Sequence, residues 1–147
     1  MITIKMNTIN VQDYLEIRAK VGWIALQEKQ ATKALEHSIC VLGAYEDDRL
    51  IGMGRIVGDG AVICYIQDLI VIPEYQSNGV GSMILQHLID YVKELSDPAS
   101  RMMLCLMCAK GREQFYEKHG FIARPTDNLG PGMIQYLVGD EYVEINN

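Results

Sequence analysis

The residues best suited to chemistry lie in the turn Gln76-Ser77-Asn78-Gly79-Val80-Gly81, which joins an apolar run ending at Pro73 to a helical pattern. Its two glycines let the backbone turn tightly and let a ligand approach the first N–H groups of the following helix. Those groups have no intrahelical partner and lie at the positive end of the helix dipole, so they suit a pyrophosphate. A glycine turn that only packs a helix on a strand is the alternative.

Two nucleotide-binding motifs do not fit this turn. A Rossmann G-x-G-x-x-G would need a third glycine, and Ile84 stands in its place. A P-loop would need Gly-Lys-Ser/Thr, which is absent from the turn.

Taken whole, the turn resembles the Q/R-x-x-G-x-G/A signature of the GCN5-related N-acetyltransferase (GNAT) family. A second stretch, Gln114-Phe115-Tyr116-Glu117-Lys118-His119-Gly120-Phe121, is similar to the family's F/L-Y-x-K-x-G-F landmark. The resemblance covers residues 65–121. It implies a single domain over 1–147 of α/β class, with a mixed, mostly antiparallel sheet and helices on both faces. It also implies direct transfer of acetyl from acetyl-CoA, as co-substrate, to a primary amine, with no metal.

The same resemblance places the cofactor. The end of the central strand should pair with the pantetheine amides, which requires a splayed strand, and a bulge near Gln67 or Asp68 would open it. The loop carries no basic residue, so main-chain N–H groups should hold the pyrophosphate. The implied cofactor-binding residues are Leu69, Ile70, Val71, Gln76, Ser77, Asn78, Gly79, Val80, Gly81, Ser82 and Tyr116.

Tyr116 is the implied general acid, which would protonate the leaving thiolate. A phenol with a pKa of about 10 matches an alkyl thiolate of comparable basicity. The alternative is an interior aromatic residue of an amphipathic helix beside Phe115. Seven residues before this Tyr, many family members have an Asn that contacts the cofactor, whereas this chain has Ala109. The adjacent Lys110 either reaches a phosphate of CoA or is solvated.

The general base departs from the family pattern, because the family position that often holds Glu or His is Gln67, which cannot take a proton. Tyr65 should share the strand face of Gln67, so an ordered water held by both is the predicted proton relay. Asp68 should point to the opposite face and is either a direct base or a structural carboxylate.

The acceptor pocket is expected between the helical N-terminal segment and a late Gly/Pro loop. Trp23, the only tryptophan, could wall an amine pocket together with Tyr65, or it could belong to the core. A small-molecule amine is the predicted acceptor, with a protein N-terminus or lysine as alternatives. A catalytically weak acyl-CoA-binding or sensor module is the alternative from another class.

Hydrophobic periodicity predicts the elements that must position these residues. The order is βααβββαβαββ, with a compact hairpin turn at Asp47-Asp48 between the second and third strands. The predicted strands are Ile2–Ile9, Ser38–Glu46, Arg49–Gly58, Ala61–Ile72, Met102–Cys108, Phe121–Arg124 and Met133–Val138. The first predicted helix begins after Asn10, and the other three span Lys29–His37, Val80–Leu95 and Arg112–His119. A polar tail over Gly139–Asn147 should follow.

Composition limits the partners. The net charge is −6 with no basic cluster, which argues against nucleic acid and favours a cationic or neutral ligand. Without a signal-peptide pattern or an apolar run of membrane length, we expect a cytoplasmic protein with no membrane partner. The four cysteines lie in apolar strand-like contexts and should be reduced core thiols. Strand spacing puts Cys105 and Cys108 on opposite faces, which argues against a zinc site or a redox pair. Dimerisation through the C-terminal strands stays open.

Overall fold

The computed structural model describes residues 1–145, and its helices and strands follow the predicted order from the first strand to the fourth helix. The elements are β1 Ile2–Met6, α1 Val11–Lys20, α2 Glu28–Glu36, β2 Cys40–Glu46, β3 Arg49–Gly58, β4 Ile63–Val71, a 3₁₀ turn Pro73–Tyr75, α3 Val80–Leu95, β5 Met103–Cys105 and α4 Glu113–Glu117.

The strands form one sheet in the order β1-β2-β3-β4-β5. The first four are antiparallel neighbours, and β5 runs parallel to β4. The predicted hairpin turn at Asp47-Asp48 is confirmed, with Asp47 in the left-handed region at φ 52°. The mixed, mostly antiparallel sheet is therefore confirmed.

Helices cover both faces of the sheet, as predicted. Gly54 on β3 allows α3 to approach closely, because a Cβ there would lie 2.7 Å from the Leu88 side chain. On the opposite face Tyr14 of α1 is fully buried and meets Asp68 of β4. The core between these layers contains fully buried aliphatic side chains, each stabilising the fold by about 1.5–3 kcal/mol; they include Ile51, Ile56, Ile84, Leu85 and Leu88.

Local sequence signals set the helix ends that matter for the site. The Asn10 side chain accepts a hydrogen bond of 2.8 Å from the Asp13 backbone N–H, which confirms it as the N-cap of α1. The helix α3 begins directly after Gly79, whose φ of 82° is left-handed. It has no side-chain cap and no acidic residue in its first turn.

The two predicted C-terminal strands are wrong. Phe121–Arg124 and Met133–Val138 belong to no strand in the described residues, and β5 is shorter than the predicted Met102–Cys108. These segments have side chains that suit a pleated sheet, but a strand forms only where its backbone can also hydrogen-bond to the edge of a neighbouring strand. Residues 139–145 form no helix or strand, and the last two residues of the predicted tail lie outside the described residues.

No helix among residues 1–145 is long and apolar enough to cross a membrane. Within the same residues, no group of three or more His, Cys, Asp or Glu side chains could hold a metal ion.

Candidate active site

A cleft of about 520 Å³ opens where β4 and β5 diverge, beside the N-terminus of α3. The two strands pair only over Ile63–Tyr65 and Met103–Cys105, so the later part of β4 has no neighbour on that side. The cleft is lined by Val21, Trp23, Leu69, Ile70, Val71, Tyr75, Gln76, Ser77, Gly79, Gly81, Ser82, Ala109, Arg112, Phe115 and Tyr116.

A β-bulge in β4 lies directly before this opening. Met53 of β3 pairs with Ile70, whereas Arg55 pairs with Gln67, so two residues of β4 oppose the single residue Gly54. Asp68 provides the extra residue and has a positive φ of 58°. The predicted bulge near Gln67 or Asp68 is confirmed. It bends the strand just before the backbone of residues 69–71 enters the cleft.

The bulge buries the Asp68 carboxylate among two guanidinium groups and a phenol. Arg18 Nη1 donates to Oδ1 at 2.9 Å, and Arg55 Nε donates to Oδ2 at 2.7 Å. The Tyr14 hydroxyl donates a short hydrogen bond to Oδ2. The side chain of Asp68 is fully buried, and those of both arginines are 12% exposed. The cluster is therefore a desolvated network in which each carboxylate oxygen is occupied.

Asp68 does not point away from Gln67, so that prediction is wrong. Gln67 Nε2 lies 3.4 Å from Asp68 Oδ1, because a bulge turns two successive side chains towards one face. The carboxylate has no free lone-pair direction and does not line the cleft, which argues against a direct base. Burial raises the pKa of Tyr14, and the nearby Asp68 charge raises it further.

The loop before α3 presents free backbone donors to the cleft. The N–H groups of residues 77–82 make no hydrogen bond of normal geometry with any described part of the chain. Ser77 and Gly79 both have positive φ, 66° and 82°, which turns successive N–H groups in one direction. The Gln76 side chain donates to the Val71 carbonyl at 2.9 Å and ties the loop to β4.

The helix α4 forms the other wall and carries Tyr116. The Phe115 ring lies between α4 and α3, because a Cβ at Gly81 would be 3.5 Å from it. Tyr116 contacts Phe115 and Phe121 edge-on, with centroid separations of 5.1 and 5.9 Å. Its hydroxyl makes no hydrogen bond within the described residues. Burial raises the pKa of Tyr116, Cys108 raises it further, and Arg112 opposes the shift.

Arg112 is a cleft residue that the sequence motifs did not identify. Its guanidinium lies 5.0 Å from the centre of the Phe115 ring and forms no ion pair in residues 1–145. Its position as the first residue of the predicted helix Arg112–His119 was the available signal. Lys110, the cation that the sequence suggested, does not line the cleft.

Trp23 also lines the cleft, from the loop between α1 and α2. The residue is 36% exposed, and the Arg18 guanidinium lies 5.3 Å from its ring centroid. Arg18 Nη2 also donates to the Ile24 carbonyl at 3.1 Å. Arg18 thus connects the Asp68 cluster to the loop that carries Trp23.

Most of the predicted site residues come together in the cleft, and a minority do not. Those lining it are Leu69, Ile70, Val71, Gln76, Ser77, Gly79, Gly81, Ser82, Tyr116 and Trp23, whereas Asn78, Val80, Tyr65, Gln67 and Asp68 do not line it. Val80 is buried in the core. Burial raises the pKa of Tyr65, and the Met107 backbone N–H, which faces its hydroxyl, opposes the shift.

Comparisons with known proteins agree with this geometry. The model of the Acetyltransferase (GNAT) family matches residues 6–121. A protein of unknown function from meticillin-resistant Staphylococcus aureus, described as a probable acetyltransferase, is similar in structure (TM-score 0.80, 31% identity, 92% of this chain and 100% of that chain). A GNAT family protein from Streptococcus pneumoniae is similar in structure, with a TM-score of 0.77 and 31% identity, and the match covers 96% of this chain and 100% of that chain. A ycf52-like uncharacterised N-acetyltransferase from Prochlorococcus marinus is 26% identical over 84% of this chain and 69% of its own length.

Proposed function

The chain belongs to the GNAT family of acetyltransferases, and from that premise we propose that it transfers acetyl from acetyl-CoA directly to a primary amine of a small molecule. The observation that carries the proposal is the cleft itself. It combines unbonded backbone donors, an open strand edge and a tyrosine with an unbonded hydroxyl. Acetyl-CoA, when bound, supplies the activated thioester.

The free N–H groups of residues 77–82 fit the pyrophosphate of the cofactor. A pyrophosphate is held best by several donors that already point together, since no ordering cost is then paid on binding. The left-handed residues Ser77 and Gly79 provide this arrangement, and no acidic residue in the first turn of α3 opposes an anion. The backbone of residues 69–71 would pair with the pantetheine amides.

Arg112 would supply the positive charge that the loop lacks. It lines the cleft together with Ser77 and Ser82, and no carboxylate in the described residues neutralises it. Stacking on Phe115 restricts its side chain, so a phosphate contact would cost less entropy than one from a solvated lysine. This role replaces the one considered for Lys110.

Tyr116 would hold the proton for the leaving thiolate at its Oη atom. Its raised pKa keeps the phenol protonated throughout the neutral range, and its hydroxyl has no competing acceptor in the described residues. Phe115 and Phe121 fix the ring by edge contacts. The residue is therefore oriented and carries the proton before any substrate binds.

The amine must lose a proton before it attacks. Asp68 is fully occupied by Arg18, Arg55 and Tyr14. The proposed route is therefore an ordered water held by Gln67 and Tyr65, and because neither side chain lines the cleft, this water would have to connect them to it. The acceptor would lie at the Trp23 end of the cleft, where an aromatic face can contact a cationic amine before its deprotonation. The net charge of −6 favours the approach of such an amine.

Thiol release tests the proposal. The full-length protein would be incubated with acetyl-CoA and a panel of small primary amines, a peptide with a free N-terminus and a peptide with an internal lysine. We expect small amines to raise thiol release well above the hydrolysis background. Release with the peptides alone would instead identify a protein acetyltransferase.

The occupied Asp68 and the amide at Gln67 also support the second candidate, a catalytically weak acyl-CoA-binding module. Calorimetric titration with CoA separates the two candidates. Binding without thiol release for any acceptor would favour the binding module, and absence of binding would contradict both.

A further inference from the structure

The free N–H groups of residues 77–82 must point together to hold an anion, but the loop before α3 has few side chains that could fix it. Among residues 73–79, here called the cofactor loop, Tyr75 alone is not exposed, whereas the residues directly before and after the loop are buried. Ser77 has a left-handed φ of 66°, which a residue other than glycine keeps only where neighbouring structure fixes it. Besides the exposed Gln76, which contacts β4, Tyr75 is therefore the side chain through which the fold can hold this loop.

Tyr75 connects the cofactor loop to the sheet. Its side chain packs against the hydrophobic core and also lines the cleft. Its hydroxyl donates a short hydrogen bond to Oε2 of Glu46, the last residue of β2 and 29 positions away along the chain. This hydrogen bond raises the pKa of Tyr75, so the phenol keeps its proton and remains a donor throughout the neutral range.

Glu46 is a firm attachment point because it belongs to two strand pairs. It lies opposite Ile2 of β1 on one side and opposite Arg49 of β3 on the other. Arg49 makes a second link to the loop, since its Nη2 atom lies 2.5 Å from Glu74 Oε2. That ion pair is half exposed on both sides, and water screens it. The hydrogen bond between Tyr75 and Glu46 is therefore the stronger link between the hairpin and the loop.

The charge of Glu46 points to the same role. A carboxylate beside an anion site repels the anion, so direct contact with a pyrophosphate would be unfavourable. Residues 46–49 do not line the cleft, and Tyr75 is the member of this group that does. Holding Tyr75 requires only the hydrogen bond that the carboxylate accepts. Glu46 is thus suited to positioning the loop and not to binding the ligand.

We propose that Tyr75 and Glu46 are positioning residues for acetyl-CoA, whose hydrogen bond holds the cofactor loop on the β2–β3 hairpin with its free N–H groups directed at the pyrophosphate. A loop held in its binding conformation loses little conformational freedom when the cofactor arrives, which increases affinity. A hairpin outside the cleft would in this way control cofactor binding. The inference rests on the proposed function, since it takes acetyl-CoA as the ligand.

Tyr75→Phe tests the link, because it removes the hydroxyl but keeps the ring and the charge. We expect the Kd for CoA, measured by calorimetric titration of the full-length protein, to rise about tenfold, as for the loss of one hydrogen bond to a charged group. The KM for acetyl-CoA should rise equally, whereas kcat at saturating acetyl-CoA and the KM for the amine should stay nearly unchanged. Glu46→Leu should have the same effect, and the double variant should lose no further affinity.

Two control variants separate positioning from charge. Glu74→Leu removes the same charge from the exposed neighbour of Tyr75, and it should leave the Kd for CoA unchanged or lower it. Charge alone would also make Glu46→Leu bind CoA more tightly, so weaker binding by that variant identifies the lost hydrogen bond. Glu46→Gln keeps an oxygen that can accept from Tyr75, and it should retain most of the affinity. Circular dichroism should show an unchanged fold for each variant.

The outcomes distinguish this inference from the proposed function. A wild type that does not bind CoA would contradict the proposed function itself. If the wild type binds CoA and releases thiol, but Tyr75→Phe and Glu46→Leu bind CoA as tightly as it does or more tightly, only the positioning role is overturned. Additive losses in the double variant would also overturn it, because two residues that act through one hydrogen bond cannot lose it twice.

Discussion

Replacing Asp68 with asparagine should destabilise this protein strongly, because the carboxylate is the only counter-charge that the structure gives Arg18 and Arg55 in the described residues. Both guanidinium groups are 12% exposed, so solvent cannot replace the lost charge. Breaking a buried ion pair by removing one partner costs about 3–5 kcal/mol. With a urea m-value of about 2 kcal/mol/M, the midpoint of unfolding should fall by about 1.5–2.5 M.

The exposed pair formed by Arg49 and Glu74 is the matched control. Its nitrogen and oxygen atoms are 2.5 Å apart, closer than either pair at Asp68, but the two side chains are 50% and 55% exposed. Glu74→Gln should therefore leave the midpoint almost unchanged, since water screens an exposed pair. Urea unfolding followed by circular dichroism measures both variants. Equal shifts for Asp68→Asn and Glu74→Gln would refute the reasoning that burial, and not distance, sets the energy.

Three further predictions concern the cleft. Tyr116→Phe should lower kcat by about 10²–10⁴-fold. In the wild type, the rate should fall only as the pH rises through the raised pKa of Tyr116, and the variant should lack this alkaline limb of the pH–rate profile. An unchanged profile would exclude the acid role. Arg112→Gln should raise the KM for acetyl-CoA about tenfold, whereas Lys110→Gln, outside the cleft, should not; equal effects would contradict the assignment. Arg18→Met should shift the fluorescence emission of Trp23, the single tryptophan, and raise the KM for the amine more than that for acetyl-CoA; an unchanged spectrum would show that Arg18 does not hold this loop.

The helix ends and the hairpin could be predicted because their causes are local. Asn10 caps α1 through its own side chain, and α3 spans the predicted residues 80–95 after a left-handed glycine. Two carboxylates in sequence at Asp47-Asp48 mark a tight turn whose partner strands lie on either side. In each case the interacting groups are separated by only a few residues, so the chain sequence contains both partners.

The chemistry around Asp68 could not be predicted in the same way. The sequence indicated a bulge near this residue, but not that the bulge would turn Asp68 and Gln67 to one face. Its partners Tyr14 and Arg18 are 54 and 50 residues away along the chain. Only the packing of α1 on the sheet brings them to one carboxylate, where they occupy both oxygens of Asp68 together with Arg55.

The sequence by itself determined the family, the order of the elements and the loop that presents backbone donors, since each depends on residue types at fixed short spacings. The tertiary structure alone decided that Arg112 faces the cleft and that Met133–Val138 stays unpaired within one chain. Both depend on which surfaces meet across the fold. A strand pattern shows that a segment can pair with a sheet edge, but the packing of the whole chain determines whether an edge is available to it.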